Sequence, residues 1–288
     1  MSAPQPKPPL MPPPQVTVLT SVYNGARFLN EAVQSILDQS FTNFEFLILD
    51  DASTDATPGM LAAWAARDPR IRVVTNEGNL GLTRSLNKGI ALARGGWIAR
   101  HDADDRALPE RLQHQLNFLD LHPEVGMLGC AAWFIDAAGV RQPACRPVPT
   151  THTRIAWELL FTNPFFHSAM MVRRALLLDT RYDESIRQAQ DFELWGRLIR
   201  QTRAANLAKP LIELRRHGER VSERHHHSQQ AFGMEIVRRR CQALCPEYSF
   251  DDPTLHAVRR LIDSEWPGAN DDAGSYLIWL ALFGGRWG

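Results

Sequence analysis

Four short apolar runs, separated by helix-period segments or turns, constrain this chain more than any other feature. Val16–Ser21, Phe44–Leu49, Ile71–Val74 and Trp97–Ala99 read as strands. After the first run, Phe28, Ala32, Val33, Ile36 and Leu37 form one amphipathic stripe, and Leu82, Leu86, Ile90 and Ala93 form another before the fourth. Asn24-Gly25 turns the chain before the first helix. Asp55 and Pro58 open the second helix, and Gly95-Gly96 stops the third. Pro109 opens a fourth, whose stripe is Leu112, Leu116 and Leu119. This alternation predicts an α/β fold with a largely parallel, doubly wound sheet. Ligands of such sheets lie outside the carboxyl ends of the strands.

The polar residues of interest fall at those ends: Ser21 and Tyr23 after the first run, Asp50 and Asp51 after the second, Asp102 and Asp104 after the fourth. Asp102-Ala103-Asp104 places two carboxylates on one tight turn. Hard divalent cations such as Mg²⁺ or Mn²⁺ prefer oxygen ligands and keep positions open for substrate phosphates. Asp51 suits hydrogen bonding to a ribose or base, whereas Asp50 or Asp55 also suits a local Asx-turn. The first turn reads Ser-Val-Tyr-Asn-Gly-Ala, without the glycine pattern of a dinucleotide site. Asp191 precedes Leu194, Trp195 and Leu198, so it belongs to the first turn of a helix, as either an N-terminal cap or a general base. Arg215, Arg216 and His217 together are candidates to face a diphosphate, or to form a solvated loop.

The second half is less regular. Val125–Ile135, Phe165–Val172 and Pro210–Leu214 read as strands, and Gln190–Arg200 and Ser222–Ala243 as helices. The expected organisation is a disordered proline-rich tail over 1–14, a main domain over 15–222 divided near 121/122, and a helical extension over 223–288. Within that extension, Asp251–Trp287 is expected to be helical. The 32 basic and 32 acidic residues give zero net charge, which argues against nucleic acid as a partner. The four cysteines form no disulfide framework, and a metal site at Cys241 and Cys245 would lack ligands. His225-His226-His227 carries no catalytic assignment. The apolar run Tyr276–Phe283 is too short to span a bilayer, and no secretory leader is read at the start. The expected location is cytoplasmic, at or near the inner membrane surface; the late arginines (Arg215 to Arg240) read as a solvated helix face or, alternatively, as a peripheral membrane contact.

The segments VTVLTSVYNGARFLNEAVQSIL, FLILDDASTD, NLGLTRSLNKGI, GGWIARHDADD, LPERL, NPFFHSAMMVRR, AQDFELWGRL and LRRHGERVS run in order from Val16 to Ser222. Together they resemble the family 2 glycosyltransferases. The resemblance implies a GT-A fold: a Rossmann-like, mostly parallel central sheet flanked by helices, here with a helical C-terminal extension. It implies inverting transfer of a sugar from a UDP- or dTDP-sugar to a hydroxyl of a saccharide or lipid-linked acceptor, in bacterial surface-polysaccharide or glycolipid synthesis. It places Ser21, Tyr23, Asp51, Arg84, Lys88 and Asp102 around the nucleotide sugar and Asp104 on a divalent metal, Mn²⁺ or Mg²⁺. Asp191 takes the catalytic base position, His167 the acceptor side, and His217 a loop over the diphosphate. One departure stands out: Gln190 occupies a position that is acidic in many members, so Asp191 would act alone. A non-catalytic nucleotide-sugar-binding protein and a nucleotidyltransferase are the competing functions.

Overall fold

The computed structural model describes residues 13–217, 226–244 and 246. Its strands are β1 (Val16–Val22), β2 (Phe44–Asp50), β3 (Ile71–Thr75), β4 (Trp97–Arg100), β5 (Arg106–Ala107), β6 (Val125–Ile135), β7 (Arg141–Arg146), β8 (Met171–Arg173) and β9 (Arg203–Arg215). The helices are α1 (Ala26–Leu37), α2 (Thr57–Arg67), α3 (Leu82–Leu92), α4 (Arg111–Leu121), α5 (His152–Glu158), α6 (Arg174–Asp179), α7 (Gln190–Leu198) and α8 (His226–Leu244). One sheet runs in the order β3-β2-β1-β4-β8-β6-β9-β5, with β7 added on β6. It is parallel across β3, β2, β1 and β4. β8 then runs antiparallel to both β4 and β6, so the expected largely parallel sheet holds for the first half and becomes mixed beyond it.

Period-two alternation along β1 and β2 divides the core into two layers. Val16, Val18, Phe44, Phe46 and Ile48 face Leu29, Val33 and Ile36 of α1 and Leu61 of α2. Leu19, Leu47 and Leu49 face Leu86 and Ile90 of α3 and the cluster that contains Trp195. All seven residues of β2 are buried, as a central strand covered on both faces requires. Gly95 is needed where the chain enters β4: a Cβ there would lie 2.4 Å from the backbone nitrogen of Thr17.

Two readings of the sequence change. The run from Phe165 to Val172 is not one strand: a 3-10 turn occupies His167–Ala169 and only Met171–Arg173 pairs. The turn lets the Ser168 hydroxyl accept the Asp102 backbone N–H at 2.9 Å. The strand expected at Pro210–Leu214 extends over thirteen residues, Arg203–Arg215, and runs beside β6. The helix expected over Ser222–Ala243 is described from His226. The proline-rich residues 1–12 and the segment Asp251–Trp287 lie outside the described residues, as does most of the proposed extension. α8 packs Met234, Val237 and Cys241 into the cluster that holds Phe192, Leu194 and Trp195 of α7. Its Arg240 lies 4.2 Å over the Phe192 ring and donates to the carbonyls of Phe192 (2.6 Å) and Leu159.

Glu45 ties together the amino ends of the parallel strands. Its buried carboxylate accepts from the Thr17 hydroxyl (2.7 Å), the Arg94 backbone (2.6 Å) and side chain (2.7 Å), and Arg72 (3.2 Å). Burial pulls this carboxyl upward, but the hydrogen bonds from Thr17 and Arg94 and the charge of Arg72 outweigh it and hold the group below its ordinary 4.5. A depressed carboxyl stabilises the fold above the unfolded value, and that contribution disappears as pH falls through the folded value. Glu45→Gln is expected to cost about 2 kcal/mol near pH 7. The gap from the parent should close in melting curves taken as pH falls below about 4.5.

Candidate active site

The carboxyl ends of β1, β2 and β4 form one edge, and the chain leaves each through a polar turn. After β1, Asn24 has φ 52° and its side chain accepts the backbone N–H of Thr54 (2.8 Å) and Asp55 (3.3 Å). Asp55 accepts from Thr57 (2.9 Å), at the start of α2, and from Ala26 (3.2 Å), at the start of α1. One carboxylate therefore serves two helix N-termini, where negative charge is favoured. Asp50 is a local turn acceptor for the Ser53 N–H at 3.1 Å. Ser21 is half-buried near the end of β1, and Tyr23 just beyond it is half exposed.

Asp51 is buried, and its carboxylate accepts three donors: Asn76 (2.7 Å), the Leu80 N–H (2.8 Å) and the Gly81 N–H (2.8 Å). It fixes the loop that leads into α3, in which Gly81 takes φ 84°. Lys88 donates to Asn76 at 2.8 Å, so Asp51, Asn76 and Lys88 form one network. Arg84 is exposed and meets Glu184 at 3.3 Å.

The acidic turn after β4 brings Asp102, Asp104 and Asp105 together, each offering a carboxylate oxygen within 4.8 Å of the others. Asp105 was not singled out from the sequence, although it completes the Asp-Ala-Asp-Asp string. Three guanidinium groups lie against this turn. Arg100 pairs with Asp102. Fully buried Arg111 donates to the Arg100 carbonyl at 2.8 Å, and burial with the neighbouring Arg100 charge pushes it down to about 10 against the pull of Asp105 and Asp102. Arg215 receives the turn from β9: its backbone N–H donates to Asp105 (2.9 Å) and its Nε to the Asp104 carbonyl (2.8 Å). The same side chain reaches the carbonyls of Asp136 (3.2 Å) and Ala137 (3.3 Å) and the carboxylate of Glu31 (2.7 Å).

This overturns the reading of Arg215 and Arg216 as a pair facing one diphosphate. Successive residues along a strand point to opposite faces. Arg215 and His217 both lie against Phe28, at 4.5 and 4.8 Å, whereas Arg216 lies 3.9 Å over Phe134 on the other side. His217 lies beside the acidic turn, with Nε2 2.9 Å from Asp104 Oδ2. The residues suit a hard divalent cation: clustered carboxylate oxygens with an imidazole nitrogen beside Asp104.

Across the edge, Ala189 takes φ 55° and starts α7 so that Asp191 falls in its first turn. Asn163 donates to Asp191 Oδ2 at 2.8 Å. His167 Nε2 lies 2.7 Å from the Tyr182 hydroxyl, and both rings rest on Trp195 of α7. Burial and the Arg100 charge push His167 down to about 4, against the opposing pull of Asp191 and Asp102. His167 is thus neutral near pH 7 and sits within electrostatic reach of carboxylates from both sides of the site.

Residues 17–180 match the sequence profile of glycosyl transferase family 2. The chain belongs to that family. The family relatives include an amylovoran biosynthesis glycosyltransferase, AmsE, of Erwinia amylovora, 28% identical over 212 residues, covering 72% of this chain and 79% of the relative. Among solved structures, S. aureus TarS 1–349 in complex with UDP superposes with a TM-score of 0.62 at 18% identity, covering 92% of this chain and 78% of that one. A mannosyltransferase, PcManGT from Pyrobaculum calidifontis, in complex with GDP-Man and Mn²⁺, gives a TM-score of 0.60 at 18% identity, with 87% and 70% covered. The sheet and flanking helices are those of the GT-A glycosyltransferases, and the protein is a glycosyltransferase. Among the described residues no helix is long and apolar enough to cross a membrane.

Replacing Arg215 by Met should remove a brace on which three backbone carbonyls and the acidic turn depend. The expected loss is about 3 kcal/mol of folding stability, measured by denaturant unfolding.

Proposed function

We propose that the protein is an inverting glycosyltransferase that moves a sugar from a UDP- or dTDP-sugar to an acceptor hydroxyl. The observation that carries this reading is the 163–168 loop, which touches both acidic segments: Asn163 donates to Asp191 (2.8 Å), and Ser168 accepts the Asp102 backbone N–H (2.9 Å). Asp102 belongs to the acidic turn, Asp191 to α7, and both act on the same buried imidazole. In this reading the acidic turn serves the donor and Asp191 serves the acceptor, as a displacement at a sugar carbon requires.

In this reading Asp51, Asn76 and Lys88 shape the loop that receives the nucleotide, with Ser21, Tyr23 and Arg84 around it. Asp102, held by Arg100, meets the ribose. Asp104, with Asp102 and Asp105 close by, holds a divalent metal, and His217 stands beside Asp104. Bound there, Mn²⁺ or Mg²⁺ supplies positive charge to a leaving nucleoside diphosphate. Asp191 accepts the acceptor proton as the oxygen attacks the anomeric carbon from the face opposite the leaving group. Asn163 holds one Asp191 oxygen and leaves the other to face the acceptor. His167 and Tyr182 set the floor beneath. The UDP complex of TarS and the Mn²⁺ complex of PcManGT support the donor and metal assignments. The name of AmsE, an amylovoran biosynthesis glycosyltransferase, supports an acceptor belonging to polysaccharide synthesis; we place the reaction in the cytoplasm, at or near the membrane.

Two measurements test this reading. Asp191→Asn should reduce transfer by at least about 100-fold while the affinity for UDP is unchanged. Loss of UDP binding in that variant would remove the base assignment. UDP or dTDP with Mn²⁺ should raise the melting temperature of the parent protein by mass action, and Asp104→Ala should abolish the metal-dependent part of that rise. Release of pyrophosphate instead of nucleoside diphosphate during turnover would point to nucleotidyl transfer.

A further inference from the structure

On the sheet face that turns away from the acidic turn, two arginines stand on two aromatic rings. Phe134 of β6 and Phe166, next to His167, meet edge to face with centroids 6.1 Å apart. The Arg216 guanidinium lies 3.9 Å over Phe134, and that of Arg146 lies 5.9 Å from the Phe166 centroid. Strand register explains the grouping. Arg146 of β7 pairs with Ala132, two residues before Phe134, and Leu214, two before Arg216, pairs with Phe134. Ala132, Phe134, Arg146, Leu214 and Arg216 thus share one face. Both arginines are exposed, and among the described residues neither has a carboxylate within ion-pair distance. On the opposite face, Arg106 and Arg141 both pair with Glu213, at 2.8 and 2.5 Å.

A guanidinium stacked on a ring is pre-oriented, and its N–H edge still points outward to an oxyanion. The location ties the pair to the reaction space. Phe166 lies in the loop that carries Asn163, the partner of Asp191, and His167, so the group adjoins the side of Asp191 and not the acidic turn. We propose that Phe134, Phe166, Arg146 and Arg216 form an acceptor subsite for a sugar whose neighbour carries an oxyanion, a phosphate or a carboxylate. The rings take the apolar face of the saccharide and the two guanidinium groups take the anion. A lipid-linked diphosphate saccharide and an acidic polysaccharide both present that chemistry. The inference rests on the glycosyltransferase reading above and names the class of its acceptor.

The test uses the full-length protein saturated with UDP and Mn²⁺. Three probes are titrated below their micellar concentrations and followed by calorimetry: octyl glucoside, octyl glucuronide and octyl glucosyl phosphate. At least one anionic probe should bind about tenfold more tightly than the neutral one, as one charge-assisted contact provides. Arg146→Gln with Arg216→Gln should erase that advantage without lowering the melting temperature, since both side chains are exposed. Preference for the phosphate probe indicates a lipid-linked diphosphate acceptor; preference for the glucuronide indicates an acidic polysaccharide. Equal affinity for neutral and anionic probes, discrimination that survives the double substitution, or no binding of any probe would each overturn the subsite. The UDP-induced rise in melting temperature separates the two failures. If it is present and discrimination is absent, only the subsite is lost; if it is absent from the parent protein, the donor reading falls as well.

Discussion

The buried guanidinium of Arg215 is the contact on which the arrangement of the site depends. It is the last residue of the long strand β9, far in sequence from the acidic turn, yet it joins that turn to α1 and to the β6–β7 connection. A short turn of adjacent carboxylates repels itself and has little apolar surface to hold it in place. Here its shape is imposed from outside by fixed donors. Arg100 pairs with Asp102, and Arg215 divides its donors between the backbone of the turn and the Glu31 carboxylate.

The same device recurs on the nucleotide side. Asp51 is an acidic residue at a strand end, the position at which a sequence suggests a ligand. In the fold its carboxylate organises the 76–81 loop, holding the Asn76 side chain and the backbone N–H groups of Leu80 and Gly81. Asp55 likewise joins the starts of two helices. At this edge the carboxylates hold loops as much as they face substrate, which makes the site rigid before a donor enters.

The first four strands and three helices were legible because their apolar periodicity is local. β5, β7 and β8 were not: they are short, and distant partners define them. The run from Phe165 to Val172 misled because its hydrophobicity is real, but the chain must turn inside it to place His167 and Ser168 under the acidic turn. The cluster of Asp102 and Asp104 could be read from one turn of sequence. The partners of Asp51, Asp191 and His167 could not, since Asn76, Asn163 and Tyr182 carry no signal of their own. The separation of Arg215 from Arg216 was available in principle: once β9 is extended by one residue, strand alternation sends them to opposite faces.

The docking of α8 has a consequence for what the smallest working form of this protein is. The recognisable segments end near Ser222, and a boundary drawn there would seem natural. Arg240, however, closes over Gly196, so tightly that a Cβ at Gly196 would lie 2.0 Å from its guanidinium, and it holds the carbonyls of both Leu159 and Phe192. Those carbonyls belong to the two segments that carry Asn163 and Asp191. The stretch without motifs therefore packs behind the carboxylate proposed as the base, and the folded unit that holds Asp191 in place is longer than the signature.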